Sequence, residues 1–105
     1  MAKFVFVYRG GKPGQTKEEQ DKIMAAWGKW FEDLSESLVD GGNPFGAPKT
    51  VTKSGVSDSA DGQPVSGYSI VNAVNQAAAA EMAKGCPMLQ DSPDSSVEVY
   101  EAFPM

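Results

Sequence analysis

Between Lys3 and Arg9 aromatic and aliphatic residues alternate, so an extended chain carries Phe4, Phe6 and Tyr8 on one side and Val5 and Val7 on the other. Apolar groups on both sides at a repeat of two predict a central strand with two buried faces. The repeat then lengthens. Ile23, Trp27, Trp30, Phe31, Leu34 and Leu38 form one stripe at helical spacing, while Lys22, Lys29, Glu32, Asp33, Glu36 and Asp40 fall opposite. Thr16 can cap this helix with Glu19 as its capping-box partner, and Glu18 suits the positive end of the helix dipole. The spacing therefore predicts an amphipathic helix from Thr16 to about Val39, lying on a sheet and ended by Gly41-Gly42-Asn43-Pro44.

Lys49-Thr-Val-Thr-Lys53 is short, polar and lysine-flanked, the composition of a sheet edge that resists pairing with foreign strands. Ser54 to Pro64 is a turn-rich connection. Tyr68 to Ala73 again carries apolar groups on both faces and predicts a second central strand. Asn75 can cap a helix reaching Lys84, whose alanines from Ala77 to Ala80 let its backbone approach the sheet; Gly85 and Pro87 stop it. Val97, Val99, Glu101 and Phe103 alternate with Glu98, Tyr100 and Ala102 in a closing strand that is apolar only in part and suits an edge.

The order is β-α-β-β-α-β. Right-handed crossovers place strands one and three in the middle of an antiparallel four-stranded sheet with both helices on one face, an α+β ferredoxin-like sandwich. Four strands of about five residues leave an open face of roughly 300 Å² in projection and about twice that in accessible area. With half of it apolar, covering it contributes on the order of 7 kcal/mol per chain at about 25 cal/mol per Å². A homodimer joined through the sheet faces is expected.

At 105 residues the chain suits a single domain spanning 1–105, and its net charge of -5 argues against a nucleic-acid partner. No histidine is present, which removes imidazole bases, Ser-His-Asp and Cys-His sites and histidine-bearing zinc sites. One cysteine, Cys86, likewise excludes thiolate clusters within one chain, and no metal or cofactor is expected. Arg9-Gly10-Gly11-Lys12-Pro13-Gly14 lacks phosphate-loop spacing and reads as a connection. Phe4 to Tyr8 is too short for a signal or membrane span, so a cytoplasmic protein without membrane contact is expected.

Ser66-Gly-Tyr-Ser-Ile-Val71, Ala83-Lys-Gly-Cys-Pro-Met88 and Ser96-Val-Glu-Val-Tyr-Glu-Ala102 resemble the closing half of YCII-related proteins, including the DGPF group. The first strand, the tryptophan-bearing helix and Gly41-Gly42 extend the likeness over nearly the whole chain. The resemblance implies a dimeric α+β barrel, in a superfamily that includes small-molecule enzymes such as muconolactone-isomerase-like proteins. No histidine here matches the His-Asp pair of YCII-type members, and Asp61-Gly62-Gln63-Pro64-Val65 stands in for the DGPF signature without matching it.

A cavity between the first helix, the sheet and neighbouring loops, as the resemblance implies, would collect Tyr8, Arg9, Trp27, Trp30, Asn43, Phe45, Ser66 and Tyr68, all but Trp27 as ligand-binding residues. Trp27 in mid-stripe belongs to the core, and Trp30 at its edge to the pocket or dimer rim. An aromatic wall with one guanidinium suits a small aromatic or carboxylated molecule, Arg9 pairing with its anion. Asp21, Asp33, Glu36, Asp40 and the tyrosines are the groups available for proton transfer, although the acidic face of the helix reads as solvated. Cys86 reads as a packed thiol, away from any helix N-terminus. The functional expectation is a YCII-like small-molecule binder, with a histidine-independent lyase or isomerase open and no catalytic residue assigned. The alternative is a non-catalytic dimeric regulatory or protein-interaction module.

Overall fold

In a computed structural model, which describes residues 1–11, 14–58 and 64–105, the chain forms an α+β structure built on one four-stranded antiparallel sheet. Lys12 and Pro13 of the first connection and Asp61 to Gln63 of the DGPF-like segment lie outside the described residues. The strands are β1 (Ala2–Arg9), β2 (Leu38–Asp40), β5 (Val65–Ala73) and β6 (Ser96–Ala102), in the order β2-β5-β1-β6. The two strands predicted to be central are central, and the closing strand is an edge. Register across the middle sets Phe4 opposite Val71 and Phe6 opposite Ser69.

The alternation in β1 and β5 sorts residues more sharply than their composition predicts. Phe4, Phe6, Tyr8, Ser69, Val71 and Ala73 are buried beneath the helices, whereas Val5, Val7 and Ile70 on the reverse are only half-buried. Burial on both sides thus holds for one face of this chain. Tyr100 and Ile70 flank Val5 across the sheet, so the reverse face carries an apolar row.

Helix α1 (Lys17–Leu34) begins as its cap predicts: Thr16 Oγ1 accepts from the Glu19 N–H at 3.1 Å, and Glu19 Oε2 accepts from the Gln15 N–H at 2.9 Å. It ends five residues short of Val39. Ser35 turns the chain with φ 50°, its N–H closing on the Phe31 carbonyl, and a turn of 3-10 helix over Ser35–Ser37 leads into β2. Leu38 keeps its place over the core as a strand residue paired with Val71. Sheet pairing with β5 satisfies the backbone there and overrides the helical spacing.

That early strand corrects a second expectation. Lys49–Lys53 is no edge of the main sheet: β3 (Thr50–Thr52) folds onto β4 (Gly55–Ser57) as a separate exposed hairpin, Val51 facing Val56. With polar side chains on either side, the segment has no apolar face to dock, and the chain reverses locally at Lys53-Ser54, with Gly55 entering β4 at φ 147°.

Helix α2 (Gln76–Ala83) is capped by Asn75, whose Oδ1 accepts from the Ala78 N–H at 2.8 Å, and buries Ala79 and Ala83. Gly85-Cys86-Pro87 stops α2 as predicted and also starts a short helix, α3 (Pro87–Asp91), which the sequence pattern does not reveal. Proline suits the first helical position, where its missing N–H goes unneeded. Cys86 is therefore the N-cap of α3, contrary to its expected distance from any helix N-terminus, yet it is fully buried. Burial pushes its thiol up to about 11, against the lowering effect of backbone hydrogen bonds at Met88 and Leu89.

A cleft beside Trp27

The aromatic stripe of α1 lands on the buried face of β1. Trp30 lies parallel to Phe6, with ring centroids 6.1 Å apart, and donates its Nε1–H to the Met82 carbonyl at 3.2 Å, which ties α1 to α2. It is 6 % exposed and belongs to the core. Trp27 is half-buried and meets Tyr8 edge-on at 4.9 Å, with Phe31 beyond it at 5.9 Å. The two tryptophans thus exchange their expected places.

Beside Trp27 the layer is incompletely filled. An aromatic compartment of about 570 Å³ opens between α1, the Gly41–Pro44 segment and β5, with Tyr8, Trp27 and Phe31 among its walls. Glycines occupy the facing positions: Gly28 on α1, Gly41 and Gly42 after β2, and Gly67 on β5. A second, polar-rimmed compartment of about 1000 Å³ runs toward the start of α1 and past α3. The two share Ile23, Trp27, Pro44, Ser66 and Met88 and form one continuous cleft.

Its loop wall is held by a chain of hydrogen bonds. The Tyr8 hydroxyl donates to Ser69 Oγ at 2.8 Å, and Ser69 Oγ donates to the Gly41 carbonyl at 2.7 Å. Asp40 accepts the Gly42 N–H at 2.9 Å on one oxygen and the Tyr68 hydroxyl at 3.2 Å on the other. Farther on, Pro44 bridges to Gly67, and the Phe45 N–H donates to the Ser66 carbonyl at 2.9 Å. Gly42 is required by geometry. Its φ is 75°, and a Cβ there would stand 1.7 Å from the Tyr68 carbonyl oxygen.

Of the residues expected at the site, Tyr8, Asn43, Ser66 and Tyr68 line the aromatic compartment. Phe45 lines the second one and lies nearly parallel to Tyr68 at 5.7 Å. Arg9 stands apart. It pairs with Glu98 at 2.5 Å and borders a separate hollow beside Phe45 and Pro48, so it is absent from the aromatic wall. The Arg9 hydrogen bond, followed by one from Tyr100, holds the Glu98 carboxyl below its ordinary value.

Burial drives the Tyr8 phenol well above its ordinary value, more than Ser69 lowers it. It stays protonated across the physiological range, its proton already engaged. Asp21, Asp33, Glu36 and Asp40 are exposed, and none of them borders the cleft. Sequence reasoning passed over Phe31, Met88 and Gly28 as cleft residues, and assigned Trp27, which it set beside the cavity, to the core. Gly28 is the one with a readable signal, since glycine inside a helix needs a reason. No protein-family model, curated protein or solved structure matches the chain.

Proposed function

We propose that this protein binds a small, flat, largely apolar molecule in the cleft beside Trp27, as a YCII-related dimeric α+β barrel of ferredoxin-like topology in the cytoplasm. The supporting observation is Gly28. Glycine in a helix interior costs about 1 kcal/mol relative to alanine. Apart from its chain neighbours and its own helix backbone, no atom of the described residues lies within 4 Å of where its Cβ would stand, so close packing does not account for it. What the missing side chain leaves is room in the cleft.

Binding is favoured over proton transfer, because the tyrosine that faces the cleft from the core already gives its proton to Ser69. For the fold, the order β2-β5-β1-β6 supports the ferredoxin-like assignment once the hairpin is set aside. For the dimer, the support is the row of Tyr100, Val5 and Ile70 on the uncovered sheet face. Sedimentation is its test: a stable monomer of 11.1 kDa would remove the dimer and leave the cleft untouched.

Tryptophan emission during titration with a panel of aromatic hydrocarbons, phenols and aromatic acids tests the cleft. Saturable quenching is expected in the wild type and in Arg9→Ala, and its loss in Gly28→Leu with the fold retained by circular dichroism. Absence of saturable quenching in the wild type across the panel overturns the reading.

A further inference from the structure

The β3–β4 hairpin stands off the main sheet as an arm. Each of its strands has three residues, and every residue from Val51 to Asp58 is exposed, Val51 at 74 % and Val56 at 66 %. Ties within it are the Val51–Val56 pair, the Lys49–Asp58 ion pair and a Thr52–Ser54 hydroxyl contact at 3.0 Å. A lone two-stranded hairpin is only marginally stable in water, so one that stands free is short of a covering surface. The shape of the whole molecule agrees. It is a slab 21 Å thick and 43 by 42 Å broad, with a radius of gyration of 14.8 Å, against about 13 Å for a compact chain of this length.

Pro44 and Phe45 pair with Gly67 and Ser66 along the side of β5 that β1 does not occupy, so the arm leaves the sheet at its β2 edge. Phe45 stacks there on Tyr68, which shares the uncovered face with Ile70. Folding gives the arm what β3 alone lacks, a pair of valines, next to a turn that carries Lys53. At the opposite edge of the sheet, β6 presents Tyr100, 52 % exposed on the uncovered face, and beside it the exposed Glu101. The side chains of Lys53 and Glu101 have no ion-pair or hydrogen-bond partner among the described residues.

Within one chain the arm and the β6 edge do not meet, since β5 and β1 lie between them. Between two copies they do. When two sheets pack face to face about a two-fold axis parallel to the strands, the β2 edge of each lies over the β6 edge of the other. The chain from Pro48 to Lys53 extends roughly 16 Å, more than the about 10 Å between packed sheets, so the arm reaches past that edge. Resting on the proposed dimer, we infer that each β3–β4 hairpin clasps the β6 edge of a second copy, with Val51 and Val56 against the partner's Tyr100 and Lys53 beside the partner's Glu101. The contact is isologous and made twice, which closes the assembly at two copies.

Sedimentation equilibrium on the full chain tests this, with circular dichroism confirming the fold of each variant. Val51→Ser combined with Val56→Ser is expected to weaken the dimer roughly a hundredfold or more, since four valines per dimer lose their cover. Lys53→Glu and Glu101→Lys should each weaken it roughly fivefold to tenfold. An equimolar mixture of those two variants should recover the wild-type affinity, because each arm then meets the opposite charge on the other chain. Overall charge predicts the reverse for one of them: Glu101→Lys moves the chain from -5 toward neutrality and would tighten a dimer limited by general repulsion. A dimer indifferent to the valine substitutions, charge reversals without effect, or a mixture no tighter than its components would overturn the clasp and leave the sheet-face dimer standing. A wild type that sediments as a monomer would overturn the clasp and the dimer together.

Discussion

Trp27 and Trp30 sit three residues apart on one helix and over one sheet, yet one end of that layer is solid and the other is open. At Trp30 the facing elements press in. Phe6 lies parallel to its ring, Met82 takes its N–H, and a Cβ on Gly85 would come within 2.9 Å of its Nε1. At Trp27 the facing positions are glycines, on the loop after β2 and on β5, with Gly28 on the helix itself. The helix supplies similar bulk to both ends, so the cleft arises from what its neighbours omit.

Truncating the two rings gives the largest contrast. Trp30→Ala should cost about 3 to 5 kcal/mol by urea denaturation, as for a large side chain lost from a packed core. Trp27→Ala should cost about 1 to 2 kcal/mol, since part of its surface already meets solvent. Equal losses would mean that the two ends are packed alike.

Gly42→Ala should cost about 3 kcal/mol by the same measurement, because the added methyl collides with the Tyr68 carbonyl at a φ that only glycine adopts readily. A neutral result would show that the loop wall of the cleft moves freely.

Alkaline pH probes the solid end. The folded chain raises the Cys86 thiol from 9.0 to about 11, so the neutral thiol is the stabilised form. That stability is complete below about pH 9 and is lost as pH rises toward 11, on the order of 2 kcal/mol. The Tyr8 phenol, raised mainly by burial, adds a loss in the same direction. Urea midpoints from pH 8 to 11 should fall across this window, and a thiol reagent at pH 8 should label Cys86 only on unfolding. Rapid labelling of the folded protein would place the thiol in reach of solvent.

Gly28→Ala should stabilise the protein by about 1 kcal/mol through helix propensity alone. Destabilisation instead would show that the cleft wall at Gly28 lacks the room assigned to it. The smallest effect belongs to the hairpin, where Lys49→Ala removes the exposed 2.5 Å ion pair with Asp58 and should change stability by less than about 0.5 kcal/mol.

Where hydrophobic pattern and local chemistry agree, the chain itself was enough to read its structure. Phe4, Phe6 and Tyr8 alternate at the repeat of a strand, Thr16 and Asn75 carry the side chains that helix starts need, and Gly85 with Pro87 marks a stop. These elements and the central places of β1 and β5 follow from interactions a few residues apart and from which strands are apolar enough to be covered. The end of α1, the edge strand beside β5 and the places of the two tryptophans were decided elsewhere in the fold. Leu38 continues a helical stripe as smoothly as it starts a strand, and only pairing with Val71 chooses between them. Lys49–Lys53 looks like an edge strand until Leu38–Asp40 occupies that edge. Helical spacing sets Trp27 in mid-stripe and Trp30 at its edge, yet what decides their places is a phenylalanine or a glycine on a strand far away in the chain. The cleft is a property of volume left unfilled between elements, and tertiary packing alone brings those elements together.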